Sequence, residues 1–104
     1  MDTLSRLAAT IAARRSADPE TSWVAKLNAR GVPVIARKLG EEAVETVVAA
    51  LSGSREELVG ESADVLFHLL VLLDAKGVSL DEVYAELERR EHTSGIAEKA
   101  SRST

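Results

Sequence analysis

Apolar residues along this chain recur three and four positions apart and rarely alternate with polar ones, a spacing that predicts helices throughout. Leu4, Leu7, Ala8 and Ile11 follow a candidate cap at Asp2 or Thr3, so a first amphipathic helix is expected over about residues 3–15. Asp18-Pro19 then signals a turn. The segment SWVAKLNARG reads as a short helix ending near Gly31, with Trp23, the one tryptophan, as a packing residue. Pro33 suits the first turn of a longer helix carrying Ile35, Leu39, Ala43, Val44, Val47, Val48 and Leu51, which ends at Gly53. Ser54-Arg55-Glu56-Glu57 is a capping-box pattern, in which hydroxyl and carboxylate satisfy free N–H groups at a helix start. From there the helix is expected to run to Lys76, with Gly77 as the left-handed residue beyond its end. A second box, Ser79 to Glu82, opens a helix through about Arg90 that turns Leu80, Val83, Tyr84 and Leu87 inward. The expectation is therefore one all-α domain over residues 1–104, a bundle of about four to five helices, with a polar tail from about 93 to 104 that composition reads as a frayed, flexible end.

Composition narrows what such a bundle can do. With 104 residues the chain buries roughly 65% of its unfolded surface, enough for one core but small enough that pairing with a second copy helps. Aromatics at 3% leave no stacking platform for nucleic acid, and a net charge of −4 disfavours binding along a phosphate backbone. The absence of cysteine excludes disulfides, thiolate zinc sites and a cysteine nucleophile. The longest apolar run, Val65 to Leu73, is broken by His68 and falls far short of the roughly 20 residues that span a membrane. The N-terminus lacks the apolar core of a signal peptide, so a cytoplasmic location is the default.

Candidate chemistry lies between Lys38 and Asp64. A helix advances about 100° per residue, which aligns Lys38, Glu42 and Glu45 on one stripe, with Glu41 at its edge. Glu57, Glu61, Asp64 and His68 form a second stripe, from which the capping box withdraws Glu57. The run VLFHLLVLL is apolar around its circumference, so this helix is expected to be buried on most sides, with Glu61, Asp64 and His68 projecting into the domain or an interface. Two carboxylates about 5 Å apart repel by roughly 3 kcal/mol at an effective dielectric near 20, and a bound cation removes that cost. Oxygen donors without thiolate favour Mg²⁺ or Mn²⁺, and magnesium shares its shell with phosphates, which points to a phosphoanhydride substrate. The alternative is a pair of solvated acidic faces on a noncatalytic helical dimerisation module, with Lys38 and Glu42 as an ordinary i,i+4 pair. A di-iron bundle wants Glu-x-x-His, whereas the third residue after Glu61 is Asp64. His68 reads as a satisfied buried histidine or a substrate hydrogen-bonding group.

Four stretches, SWVAKL, RKLGEEAVE, ESADVLFHLLVLL and SGIAEKASR, together resemble the phosphoribosyl-ATP pyrophosphohydrolase family of the all-α nucleoside triphosphate pyrophosphatase superfamily. The resemblance implies hydrolysis of phosphoribosyl-ATP to phosphoribosyl-AMP and pyrophosphate in histidine biosynthesis, dependent on Mg²⁺ with Mn²⁺ as substitute. It also implies an all-α bundle completed by homodimerisation, with active sites near the subunit interface. The superfamily's Glu-x-x-Glu and Glu-x-x-Asp fall on Glu42, Glu45, Glu61 and Asp64 as metal ligands. With them, Glu42 and Glu41 take the catalytic roles, Glu41 as the residue that positions or deprotonates water. Lys26, Lys38, His68, Arg89, Ser94 and Lys99 are the expected substrate contacts, the tail closing over the ligand. Val34 stands where lysine is expected and His92 where glycine is more usual. The metal motif by itself is equally compatible with a housecleaning nucleoside triphosphate pyrophosphatase on the same scaffold.

Overall fold

Caps decide where each helix begins. In the computed structural model, which describes residues 2–91 and 95–102, Asp2 accepts a hydrogen bond from the Ser5 amide at 2.7 Å and opens α1 (Thr3–Arg14). Ser22 does the same for α2 (Trp23–Arg30) through the Ala25 amide at 3.2 Å. Gly31, with φ +93°, turns the chain into α3 (Val32–Ser52), whose start has proline in its first turn and no side-chain cap. Both capping boxes form. The Glu57 amide donates to Ser54 Oγ at 3.1 Å and the Glu57 carboxylate accepts from the Ser54 amide at 3.4 Å, opening α4 (Arg55–Ala75). Ser79 and Glu82 repeat the exchange at 3.2 and 2.8 Å before α5 (Leu80–Glu91). Gly77 takes φ +70° between them, as its place after α4 predicts. A seven-residue α6 (Gly95–Ser101) lies in the polar tail, and no strand occurs among the described residues.

The two 21-residue helices α3 and α4 make the most extensive contact in the molecule and are joined only through Gly53 and Ser54, so they run antiparallel. Space for this turn is tight: a Cβ on Gly53 would lie 3.0 Å from Ala49 Cα, from Ala49 O and from Glu57 Oε2. Positions equidistant from Gly53 then face one another along the hairpin. Ile35 and Val71, each 18 residues from the turn, are both fully buried, and with Ile11, Val24, Leu27 and Leu70 they form the core. Burying side chains of this size contributes about 1.5–3 kcal/mol each. Arg15 closes the same end by an ion pair to Asp74 at 2.9 Å.

The core thus occupies the end of the hairpin remote from Gly53, where α1 and α2 cover it. Toward Gly53 the apolar side chains of the hairpin are mostly exposed among the described residues, and there the structure departs from the sequence reading. Val44, Val47, Val48 and Leu51, part of the apolar periodicity of α3, are exposed, as are Val59 and Leu66 of α4, so α4 is buried on one side rather than on most. Trp23 is 45% exposed instead of packed. Of the α5 residues expected to point inward, Leu80 packs against the core and Val83 and Tyr84 are half-buried, but Leu87 is exposed. Tyr84 instead ties α5 to the chain start, donating its hydroxyl to the Asp2 carboxylate at 3.1–3.2 Å.

Candidate metal centre

The same hairpin register that pairs Ile35 with Val71 places Glu45 and Glu61 each eight residues from Gly53, and Glu42 and Asp64 each eleven. One oxygen from each of Glu42, Glu45 and Glu61 lies within 4.8 Å of the others. Glu42 and Glu61 are half-buried, and Glu45 is exposed at the rim. Burial, above all, pushes the Glu42 carboxyl above its ordinary pKa, reinforced by the Glu45 charge, by hydrogen-bond contact with Glu61 and by Asp64, against a small opposing effect of His68. Contact between Glu42 and Glu61 brings two acceptors together, which a proton or a cation must reconcile. Accordingly, Glu61 Oε2 is buried and has no hydrogen-bond donor.

Asp64 sits one turn beyond Glu61, exposed, outside the trio whose oxygens converge, and its charge nevertheless acts on Glu42. His68 is buried, with Nδ1 2.8 Å from the Asp64 backbone oxygen and its ring edge-on to Phe67 at 5.1 Å. A carbonyl only accepts, so Nδ1 carries the proton and Nε2 is the nitrogen left for other contacts. This is the satisfied buried histidine that the sequence allows.

Lys38 does not pair with Glu42. Its ammonium lies 3.7 Å from Glu41, and Arg37 Nε approaches the same carboxylate at 3.7 Å. Arg37, which the sequence reading passes over, lines an open depression of about 760 Å³ together with Gly40, Glu41, Val44 and Glu45. The i,i+4 spacing of Arg37 and Glu41 is the signal that finds it. A second cleft, about 280 Å³, passes Glu45 and Glu61 toward Gly53 and Glu57, the latter held in its cap. Among the other expected substrate contacts, Lys26 is exposed on α2 and Lys99 on α6. Arg89 forks onto Glu86 at 2.7 and 3.0 Å, and with Arg90 it holds the Glu86 carboxyl down at about 2. None of these three lines either cleft beside the carboxylates. Ser94 lies outside the described residues, as does His92.

The donor set is all carboxylate oxygen, three groups converge, and one buried oxygen is unsatisfied. These features fit a hard divalent cation that takes two or three protein ligands and leaves positions open. No helix among the described residues is long and apolar enough to cross a membrane. A family model described as phosphoribosyl-ATP pyrophosphohydrolase matches residues 4–91. A phosphoribosyl-ATP pyrophosphatase of Erythrobacter litoralis is 70% identical over 102 residues, covering 98% of each chain. One from Novosphingobium aromaticivorans is 68% identical over 100 residues, or 96% of this chain and 94% of its own. Another from Rhodobacter capsulatus is 63% identical over 102 residues, or 98% and 99%.

Proposed function

The chain belongs to the phosphoribosyl-ATP pyrophosphohydrolase family, and we propose that its α3–α4 hairpin is where it hydrolyses phosphoribosyl-ATP to phosphoribosyl-AMP and pyrophosphate in histidine biosynthesis. The observation that carries the placement is the convergence of Glu42, Glu45 and Glu61 around the unpartnered Glu61 Oε2. These carboxylates, together with Asp64 on the next turn, would hold Mg²⁺, or Mn²⁺ in its stead. When bound, the ion supplies charge neutralisation for the phosphate oxygens and the departing pyrophosphate, and acidifies water.

The chain's own side chains then divide the remaining work. Lys38 and Arg37 share Glu41 through exposed pairs at 3.7 Å, an arrangement worth about 0–1 kcal/mol. A substrate phosphate carries more negative charge than a carboxylate and can take a short charge-assisted bond from Lys38, in place of the long 3.7 Å pair with Glu41. Substrate then draws Lys38 away from Glu41 and leaves that carboxylate, beside the cluster and next to Arg37 alone, to orient or deprotonate water. His68, anchored through Nδ1, presents Nε2 as a fixed hydrogen-bonding group. Lys26, Arg89, Ser94 and Lys99 are the more distant substrate contacts.

The exposed stripe of Val44, Val47, Val48 and Leu51 follows i, i+3, i+4, i+7 spacing beside Val59 and Leu66. A second copy applying the same surface about a two-fold axis buries it and makes a four-helix core from two hairpins, in keeping with a cytoplasmic homodimer. Release of pyrophosphate from phosphoribosyl-ATP by the purified protein tests the activity. Faster turnover of ordinary or damaged nucleoside triphosphates would favour the housecleaning alternative.

A further inference from the structure

Glu41 is held from two sides. Around α3, Lys38, Glu42 and Glu45 all lie on one side of Glu41, about 40–100° away, whereas Arg37 lies about 40° to the other side. The two cations take different oxygens: Lys38 Nζ stands 3.7 Å from Oε1, and Arg37 Nε stands 3.7 Å from Oε2. Lys38 is half-buried on the ligand stripe, and Arg37 is exposed in the wall of the depression it lines with Glu41 and Glu45. Glu41 is the one carboxylate that Arg37 pairs with among the described residues. As a staple for the helix this pair is poorly made: the base precedes the acid, the weaker order at i,i+4, and both groups are exposed. Its position beside the carboxylate cluster, and not its worth to α3, is what asks for a role.

We infer that Arg37 is a positioning residue for the reaction, holding Glu41 by Oε2 so that Oε1 faces the water to be activated, an assignment that deepens the function proposed above and rests on it. With Lys38 drawn to a substrate phosphate, Oε1 loses its cation and is free to accept a hydrogen bond from water. A glutamate with no other tether would then turn outward into solvent, or move onto the metal as a further ligand. Arg37 opposes both movements from the far side, because its guanidinium carries several N–H donors in a fixed fork and can close from 3.7 Å to a direct bond on Oε2. Ligand lying over the depression excludes water from the pair, and the attraction strengthens as the effective dielectric falls. A contact that contributes little in the free protein thus tightens when substrate is bound, which is when Glu41 has to keep its place.

Steady-state kinetics of the full-length protein with phosphoribosyl-ATP and Mg²⁺ read binding and turnover separately. Arg37→Gln is expected to lower kcat by about 10-fold, part of the roughly 10²–10⁴ that a positioned base supplies, while KM stays within about threefold because Lys38 and the metal ligands are untouched. Magnesium affinity by calorimetry should not change, and Arg37→Lys should recover much of the turnover, since an ammonium also holds a single oxygen. The deciding comparison is with Glu41→Gln, expected to lower kcat by about 100-fold or more. Adding Arg37→Gln to that variant should cost less than about twofold further, because the group that Arg37 holds is already gone. Multiplied losses in the double variant, a rise in KM with kcat intact, or wild-type kinetics in either single variant each overturn the assignment and leave the proposed activity standing. Absence of turnover by folded wild-type protein instead removes the activity, and the assignment with it.

Discussion

Glu45 and Glu61 stand the same number of residues on either side of Gly53, and the α3–α4 hairpin brings one oxygen of each within 4.8 Å. Together with Glu42 they concentrate negative charge where Glu61 Oε2 finds no donor. The arrangement is costly without a cation and serviceable with one.

Replacing either half-buried member by its amide should show both sides of that balance. Glu42→Gln or Glu61→Gln removes a ligand and is expected to abolish measurable magnesium binding by calorimetry and lower kcat by about 100-fold or more. The metal-free variants should nevertheless melt at or above the wild-type temperature, because a like-charge contact has been relieved. Noncatalytic, solvated acidic faces would leave metal affinity unchanged.

The pH dependence of the metal-free protein follows from the directions of its shifts. Glu42 has its folded pKa raised, so its contribution to stability is present below the unfolded value and is lost as pH rises through the folded one. Glu86, held at about 2, and Asp2, lowered mainly by its hydrogen bond to Ser5, act oppositely: their contributions hold above the unfolded pKa and fade as pH falls. Melting temperature in chelator should therefore decline on both sides of a mildly acidic maximum. Saturating Mg²⁺ is expected to remove the alkaline decline and raise Tm by roughly 5–10 °C. Glu42→Gln should flatten that limb without metal; its persistence would assign the decline elsewhere.

Much of this fold is legible in the sequence, because caps and periodicity are local. Ser54 with Glu57, Ser79 with Glu82, Pro33 and Gly77 announce helix ends that form as the spacing predicts. Which apolar stripe meets which neighbour is not local. Val47 and Leu51 satisfy a helical pattern equally well facing a core or a second molecule, and here they are exposed. For the same reason the stripe places Lys38 beside Glu42, while the side chain turns to Glu41, and Glu-x-x-Asp suggests Asp64 as an equal partner, while the convergent trio omits it. Equal spacing about Gly53 was the available clue to register.

The turn itself can be tested. Gly53→Ala gains about 0.4–1 kcal/mol from a stiffer unfolded chain. The new methyl would sit 3.0 Å from two backbone atoms of Ala49, and overpacking of that kind costs about 1–3 kcal/mol. Net destabilisation in urea is expected, with weaker magnesium affinity as the register shifts. Ser54→Ala should cost about 1 kcal/mol through the lost cap.

Association through the exposed stripe predicts a particle of twice the 11.1 kDa chain mass in light scattering. Val47→Glu with Val48→Glu should convert it to a monomer, since two carboxylates cannot be buried unpaired in an apolar interface. A wild-type monomer at micromolar concentration would contradict the dimer.

The most direct measurement is the product of the reaction: incubate purified protein with phosphoribosyl-ATP and Mg²⁺ and resolve the phosphorus species by ³¹P NMR. The account predicts pyrophosphate and phosphoribosyl-AMP in equal amounts, abolished by Glu61→Gln. Release of single orthophosphate, or no release by correctly folded protein, would contradict it.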